Sequence, residues 1–343
     1  TKLEAEFERV RNLLPTLDYR AASALLRQAK ARVGPRPPTF HYPQGKIEHM
    51  VVLFVENRAS DHVWGCMLGD RPGFDGIPSD SAAAKDNETG CGSAKYVCDH
   101  GIGRSTKFNA SQLPVKAAIA ENYGVHNRMF TSFPGPSWPN HLFAQSATSC
   151  GISENIMYNK CGGKFPQFPQ MTIYDSLALA DVPFGIYVNM TCGPNDPKNK
   201  TAESCRQVSP GWGTFNGSYS NGLDPDVTMA GVARHSDHFF SHDLFYKQAA
   251  EGTLPAFSWI SPPHEAADHP CMDMAKGERL FKDIYEGLRA GKGWDKTLFM
   301  VTYDDFGGFD DQVPLPDAAP DHSPCLVWNK EHHLLSNAST KCK

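Results

Sequence analysis

Two short apolar runs, each ending in residues that carry carboxylates, constrain this chain more than any other feature. Val51-Val52-Leu53-Phe54-Val55 runs into Glu56-Asn57, and Leu298-Phe299-Met300-Val301-Thr302-Tyr303 runs into Asp304-Asp305. Unbroken runs of branched and aromatic residues are the pattern of strands buried on both faces, as in parallel sheets covered by helices. Open α/β sheets bind their ligands just beyond the carboxyl ends of such strands. Carboxylates at two such ends therefore predict a metal site.

The segments between these runs alternate in period. Residues 2–32 carry a helical stripe of Leu3, Phe7, Val10, Leu13 and Leu14, a break near Pro15, then Ala21, Leu25, Leu26 and Ala29, so residues 1–45 are read as a helical lead-in. A Pro-rich stretch, 34–43, delivers the chain into a first strand at 49–55. Residues 65–112 are rich in Gly, Ser and Asp and read as a disulfide-closed surface excursion. Helices are expected at 113–123, 141–147, 172–180, 236–251 and 274–290, and strands at 125–130, 183–188, 256–260 and 297–303. The expected fold is α/β: a three-layer α/β/α sandwich on a mostly parallel central sheet, filling residues 46–343 with loop excursions closed by disulfides.

With 40% hydrophobic residues and a net charge of −5 over 343 residues, the chain can bury a large core, and a basic nucleic-acid groove or polybasic membrane patch finds no support. Membrane contact is at most peripheral, because no apolar run approaches the about eighteen residues a spanning helix needs. The chain begins at Thr1 without a signal peptide, as a processed chain would. Ten cysteines lie in loop-like sequence without a C-x-x-C pair. The neighbours Cys91/Cys98, Cys150/Cys161 and Cys192/Cys205 suggest disulfides rather than zinc binding. Six N-x-S/T sequons, at Asn87, Asn109, Asn189, Asn199, Asn216 and Asn337, point the same way, to a secreted or lumenal glycoprotein.

Glu56, Asn57, Asp304 and Asp305 offer hard oxygens. Such donors suit a divalent cation of the Mg²⁺, Ca²⁺ or Mn²⁺ kind better than Zn²⁺, which recruits more His or Cys. Each pair taken alone equally reads as a cap for the next turn. Ser137 sits in the turn Phe133-Pro134-Gly135-Pro136-Ser137-Trp138-Pro139-Asn140, which opens a helix whose N-terminus would suit a phosphate oxyanion. Metal coordination would activate its hydroxyl without a histidine base; by itself the turn also reads as an N-cap. Past the strand near Ile260 come His264 and Asp268-His269-Pro270. A histidine held by an aspartate there would bind a phosphoryl oxygen or protonate a leaving group. His62, beside Asp61, is read as structural.

These residues bring a resemblance. ENRASDH at 56–62, PGPSWPNH at 134–141 and YDDFGGFDDQVPLP at 303–316 are similar to three motifs of the phosphoesterase family that includes bacterial phospholipases C, plant non-specific phospholipases C and a group of acid phosphatases, within the alkaline-phosphatase-like superfamily. GTLPAFSWI at 252–260, DHP at 268–270 and GERLFKDIYEGLRA at 277–290 follow in order. The resemblance implies an alkaline-phosphatase-like fold. It also implies a divalent metal on Glu56, Asn57, Asp304, Asp305 and the Ser137 oxygen, and Ser137 as a nucleophile that passes through a phosphoserine. His269 is implied to contact the phosphoryl group, and the substrate to be a phosphate ester or phospholipid.

The chain departs from that pattern at three places. Phe306 and Gln312 stand where the family has histidines, and His141 stands where it has arginine, so His141 and His264 are carried only as candidate substrate contacts. The family also implies a further strand and a histidine-bearing stretch beyond Lys343. The expected function is a secreted metal-dependent phosphoesterase; the alternative is a weakened or inactive relative acting as a binding or structural glycoprotein.

Overall fold

The structure is a computed structural model that describes residues 2–13, 19–33, 47–94, 106–149, 152–155, 168, 170–188, 208–209, 213–214, 226, 229–316, 326–329 and 334–337. Along the chain lie helices α1 (Lys2–Leu13) and α2 (Tyr19–Val33), strand β1 (His49–Val55), and helices α3 (Ala82–Lys85), α4 (Pro114–Asn122), α5 (Ser137–Ser146) and α6 (Ile173–Leu179). Strand β2 (Phe184–Val188), short strands β3 (Val208–Ser209) and β4 (Gly213–Thr214), helix α7 (Ala230–Ala233), strand β5 (Phe239–Ser241) and helix α8 (His242–Glu251) follow. Strand β6 (Phe257–Ile260), helix α9 (Met274–Ala290) and strands β7 (Thr297–Tyr303), β8 (Leu326–Asn329) and β9 (Leu334–Asn337) complete the order.

Five strands form one parallel sheet in the order β5-β2-β6-β1-β7. The period-two alternation of β1 divides the core between its faces. Val51, Leu53 and Val55 pack with Phe245 of α8 and with Phe281, Ile284 and Leu288 of α9. Val52 and Phe54 pack with Trp138 and Leu142 of α5 and Tyr174 of α6. Helices therefore cover both faces, and the α/β/α expectation holds. The buried face of α9 includes Gly277, Phe281, Ile284 and Leu288, at helical spacing, and Asp273 caps it by accepting from the Ala275 N–H. Each fully buried Phe, Ile or Leu there contributes about 1.5–3 kcal/mol. On the outer side of α6, Val10, Leu25 and Ala29 of the lead-in pack against Leu179.

Four expectations need correction. Residues 125–130 form no strand: Asn127 and Arg128 are drawn to Asp75, whose N–H donates to Asn127 Oδ1 at 2.6 Å while Arg128 Nε donates to its carboxylate at 2.8 Å. The helix expected over 236–251 begins only at His242, because Ser241 caps it, accepting from the Leu244 N–H, and Phe239-Phe240 are taken into the sheet as β5. Helix α5 starts at Ser137 rather than His141; Pro139 is tolerated because first-turn N–H groups lack helical partners anyway. Finally, Cys91 pairs with Cys66 across 25 residues, with Cα atoms 5.7 Å apart, not with Cys98. That bridge closes the first part of the 65–112 excursion. Cys98, Cys150, Cys161, Cys192 and Cys205, with Asn189, Asn199 and Asn216, lie outside the described residues. No described helix is long and apolar enough to cross a membrane.

Candidate active site

Strand register assembles the site. β1 and β7 are neighbours with Val55 opposite Tyr303, so the next residues, Glu56 and Asp304, emerge side by side although 248 positions separate them. The Asp304 N–H donates to the Val55 carbonyl at 3.0 Å, and the Glu56 N–H to the Ala267 carbonyl at 2.8 Å. Asn57 then turns out of the strand in the left-handed region, φ 58°, a conformation Asn tolerates better than most residues. In that turn the Asn57 and Asp305 N–H groups both donate to Asp304 Oδ1 at 2.7 Å. The Gly307 N–H donates to Asp305 Oδ1 at 2.6 Å. Gly307 has φ 64°, and a Cβ there would lie 2.2 Å from the Asn57 carbonyl oxygen, so the two strand-end turns touch backbone to backbone.

Ser137 enters from α5. It is the first helical residue, behind Pro136 at the cap position, so its hydroxyl is not used as an N-cap. Instead its Oγ lies 3.0 Å from the terminal amide of Asn57 and donates to Asp305 Oδ2 at 3.2 Å. Asn140 fixes the turn, accepting from Thr131 Oγ1 and the Phe133 N–H and donating to the carbonyls of Phe133, Gly135 and Pro136. The helix end offers fewer backbone donors than expected, since the Trp138 N–H donates to Asn155 Oδ1 at 2.9 Å and Pro139 has none.

One turn along α5, His141 faces the same cluster. Its Nδ1 lies 2.8 Å from Asp226 Oδ1, and its Nε2 lies 3.3 Å from Glu56 Oε1 and 3.6 Å from Asp304 Oδ2. Neither Nε2 contact is a directed hydrogen bond, so this buried nitrogen has none. Glu56, Asn57, Ser137, His141, Asp226, Asp304 and Asp305 are all at most 6% exposed, which places the whole set in a low dielectric. Burial, followed by the charge on Asp304, pushes both Glu56 and Asp305 up to about 8. Burial also opposes the charge on Asp304, yet His141 and the Asn57 N–H outweigh it and hold this carboxyl below its usual range. For His141, burial is outweighed by Asp226 and Glu56, and the imidazole is raised well above its usual value.

The donor set fits a divalent cation. One oxygen or nitrogen from each of Glu56, His141 and Asp304 lies within 4.8 Å of the others. The Asn57 amide can face this cluster either way. With nitrogen inward it donates to Glu56 Oε2 at 2.9 Å, Ser137 Oγ at 3.0 Å and both Asp304 oxygens at 3.2 Å. With oxygen inward it adds a further hard donor to carboxylates that already repel one another, an arrangement a cation relieves.

The remaining candidates are placed differently. His269 is half-buried, with Nδ1 2.8 Å from the Pro270 carbonyl and its ring 5.8 Å from that of His264. Asp268 does not hold it: its carboxylate pairs with Lys116 Nζ at 3.2 Å and accepts from the Tyr303 hydroxyl at 2.7 Å. His62 is buried between Thr106 and Arg58 and stacks on Phe309 at 3.8 Å. Gln312 ties the late motif to another loop, donating from Nε2 to the carbonyls of Asp75 and Gly76 and from its N–H to Asp61 Oδ2. Phe306 is half-buried beside Asp304 and Asp305, Asn87 lies in an exposed turn, and Asn109 is half-exposed. Sequence reasoning missed Asp226. Its Asp-Pro-Asp neighbourhood carries no motif, and only the fold brings it to His141.

Comparison with known proteins now adds to this geometry. The chain is 29% identical over 326 residues to Non-specific phospholipase C6 of Arabidopsis thaliana, covering 80% of this chain and 56% of that protein. Against Non-specific phospholipase C1 of the same plant it is 29% identical over 331 residues, covering 80% and 55%. Against the Hemolytic phospholipase C of Pseudomonas aeruginosa it is 24% identical over 334 residues, covering 79% and 44%. The chain thus spans about half the length of the curated relatives it matches. The model of the Phosphoesterase family matches residues 104–326, and the chain belongs to that family.

Proposed function

We propose that this chain hydrolyses phosphate esters, with Ser137 as nucleophile beside a divalent cation held by Glu56, Asn57, Asp304, Asp305 and the Ser137 oxygen. The observation that carries the reading is the position of Ser137 Oγ, at the head of α5 and 3.0–3.2 Å from Asn57 and Asp305. A bound cation would supply the charge that acidifies the hydroxyl and draws negative charge from the phosphoryl oxygens. Ser137 Oγ attacks phosphorus in line, forming the Oγ–P bond as the bond to the leaving oxygen breaks. Its proton passes to Asp305 Oδ2. His269, in the 261–273 loop whose Ala267 carbonyl accepts from the Glu56 N–H at the end of β1, protonates the leaving oxygen. Water then attacks the phosphoserine, giving a proton to His269 while Asp305 returns its own to Ser137, and the starting site is restored.

The names of the relatives favour a phospholipid as substrate. Residues 46–343 form the catalytic unit in this reading. The Cys66–Cys91 bridge and the exposed sequon at Asn87 support a secretory, glycosylated setting. Purified protein is assayed with p-nitrophenyl phosphate and with phosphatidylcholine vesicles, with and without chelator. Turnover that vanishes with chelator and in Ser137→Ala is the expected result; no turnover of either ester with any added divalent metal ends the proposal. That outcome would favour an inactive binding glycoprotein, for which the observation is Gln312, a structural tie where its relatives keep a titratable group.

A further inference from the structure

We propose that His141 is itself a ligand of this metal, aimed by Asp226, and that its nitrogen tunes the site toward a borderline transition ion such as Zn²⁺ rather than Ca²⁺ or Mg²⁺. The inference rests on the reading of Glu56 and Asp304 as metal ligands. His141 lies four residues after Ser137 on α5, and i and i+4 side chains share one helix face. Asp226 accepts from Nδ1 at 2.8 Å, which directs Nε2 toward the two carboxylates in the manner of a carboxylate–histidine–metal triad, where an arriving ion would displace the Nε2 proton and take its lone pair. Phe54 holds the ring edge-on at 4.8 Å, so the imidazole is braced on two sides.

The geometry is that of a donor with its acceptor missing. Nε2 is buried, has no hydrogen bond, and stands 3.3 and 3.6 Å from Glu56 Oε1 and Asp304 Oδ2. Those separations, with one donor atom each of Glu56, His141 and Asp304 within 4.8 Å of the others, suit donors that would share one ion. Imidazole suits Zn²⁺ and neighbouring transition ions, whereas Mg²⁺ and Ca²⁺ take oxygen. Arginine, which the family motif carries here, is always protonated and cannot ligate, so the nitrogen donor is a property of this chain. The competing role for His141 is that of a protonated counter-charge replacing that arginine.

The two roles differ in what a bound ion senses. The full chain, stripped with chelator and loaded with Mn²⁺, is examined by pulsed electron paramagnetic resonance, and Zn²⁺ and Mg²⁺ affinities are measured by competition titration. The expected result is an imidazole nitrogen coupling in the wild type that is lost in His141→Gln. Asp226→Asn should keep a coupling of altered strength and lose about 10- to 100-fold in Zn²⁺ affinity, with Mg²⁺ affinity changed less than about threefold in either variant. A wild-type spectrum without nitrogen coupling overturns the inference even if neither variant folds, and so does unchanged Zn²⁺ affinity in both folded variants. Phosphoesterase activity surviving such a result leaves the proposed function standing. Nitrogen coupling in a protein that turns over no ester supports His141 as a ligand and ends the proposed function instead, and failure of the wild type to bind any divalent ion ends both.

Discussion

Asp175 and Asp305 are both deeply buried carboxylates, yet their surroundings are opposite. Asp175 accepts from Arg234 Nε at 3.0 Å and Nη2 at 2.6 Å, meets His235 Nε2 at 3.0 Å, and accepts from the Thr172 N–H at 2.9 Å. Burial works against its charge, but His235 and Arg234 prevail and hold it below the usual carboxylate range. Asp305 has Ser137 and the Gly307 N–H as donors and the Asp304 carboxylate beside it, and it is pushed up to about 8. A buried charge that serves the fold comes with its counter-charge. Where three carboxylates crowd around the single imidazole of His141, a further positive partner is expected from outside the chain.

Replacing one residue in each region tests the contrast. Ser137→Ala is expected to lower phosphoesterase turnover by roughly 10³-fold or more while shifting the urea midpoint little; a variant with half the wild-type rate would remove Ser137 from the chemistry. Asp175→Asn should do the reverse. By stranding Arg234, which is buried, it should cost about 3–5 kcal/mol in urea unfolding and leave the rate per folded molecule unchanged, and a loss under about 1 kcal/mol would mean that the cluster is not the balanced unit described.

A third test uses pH. His62 donates from Nδ1 to the Thr106 carbonyl at 2.6 Å and accepts at Nε2 from Arg58 at 3.0 Å, an arrangement that needs the neutral ring. Burial and then Arg58 push it down to about 3. The unfolded chain binds this proton near 6.5, so stability is full above that value and falls as pH drops from about 6.5 toward 3. Asp61, raised to about 6 chiefly by burial, contributes the opposite slope, costing stability as pH rises from about 3.8 to 6. Urea unfolding across this range should therefore steepen on the acid side in Asp61→Asn and flatten in His62→Gln; identical slopes in all three proteins would contradict both assignments. The smallest effect on stability is expected from Asp305→Asn. It relieves carboxylate crowding and should raise the stability of the metal-stripped protein by about 1 kcal/mol while abolishing turnover, whereas a loss of stability would place Asp305 with Asp175.

What was legible in the sequence follows the same division. The strand run 49–55 and helix 274–290 matched because their periodicity is set by burial on two faces and on one, whereas the run 297–303 forms its strand at the edge of the described sheet, half-buried rather than buried as expected. Glu56, Asn57, Asp304 and Asp305 converge because parallel register carries adjacent strand ends to one place. Asp226, Arg234 and Lys116 were not legible, since a lone charged residue carries no period and its partner is chosen by tertiary packing. The strand expected at 125–130 failed for a related reason. Its apolar ends, Val125 and Met129-Phe130, suggest a strand, but side-chain bonds of Asn127 and Arg128 to Asp75 hold the segment in a loop. The disulfide pairing was open in the sequence, and Cys91 bonds Cys66 rather than its neighbour Cys98 because proximity along the chain is a poor guide to proximity across a folded loop.

The contact of Gly307 with the Asn57 backbone has a temporal consequence. The two halves of the site come from ends of the chain that meet only when β7 docks on β1, and closing so long a segment is among the slowest events in folding. A ribosome that has released the first half of this chain has made Glu56, Asn57 and Ser137 without anything for them to do. The carboxylate cluster is therefore complete only when the sheet is, and a chain halted before β7 docks would leave Glu56 without Asp304 beside it.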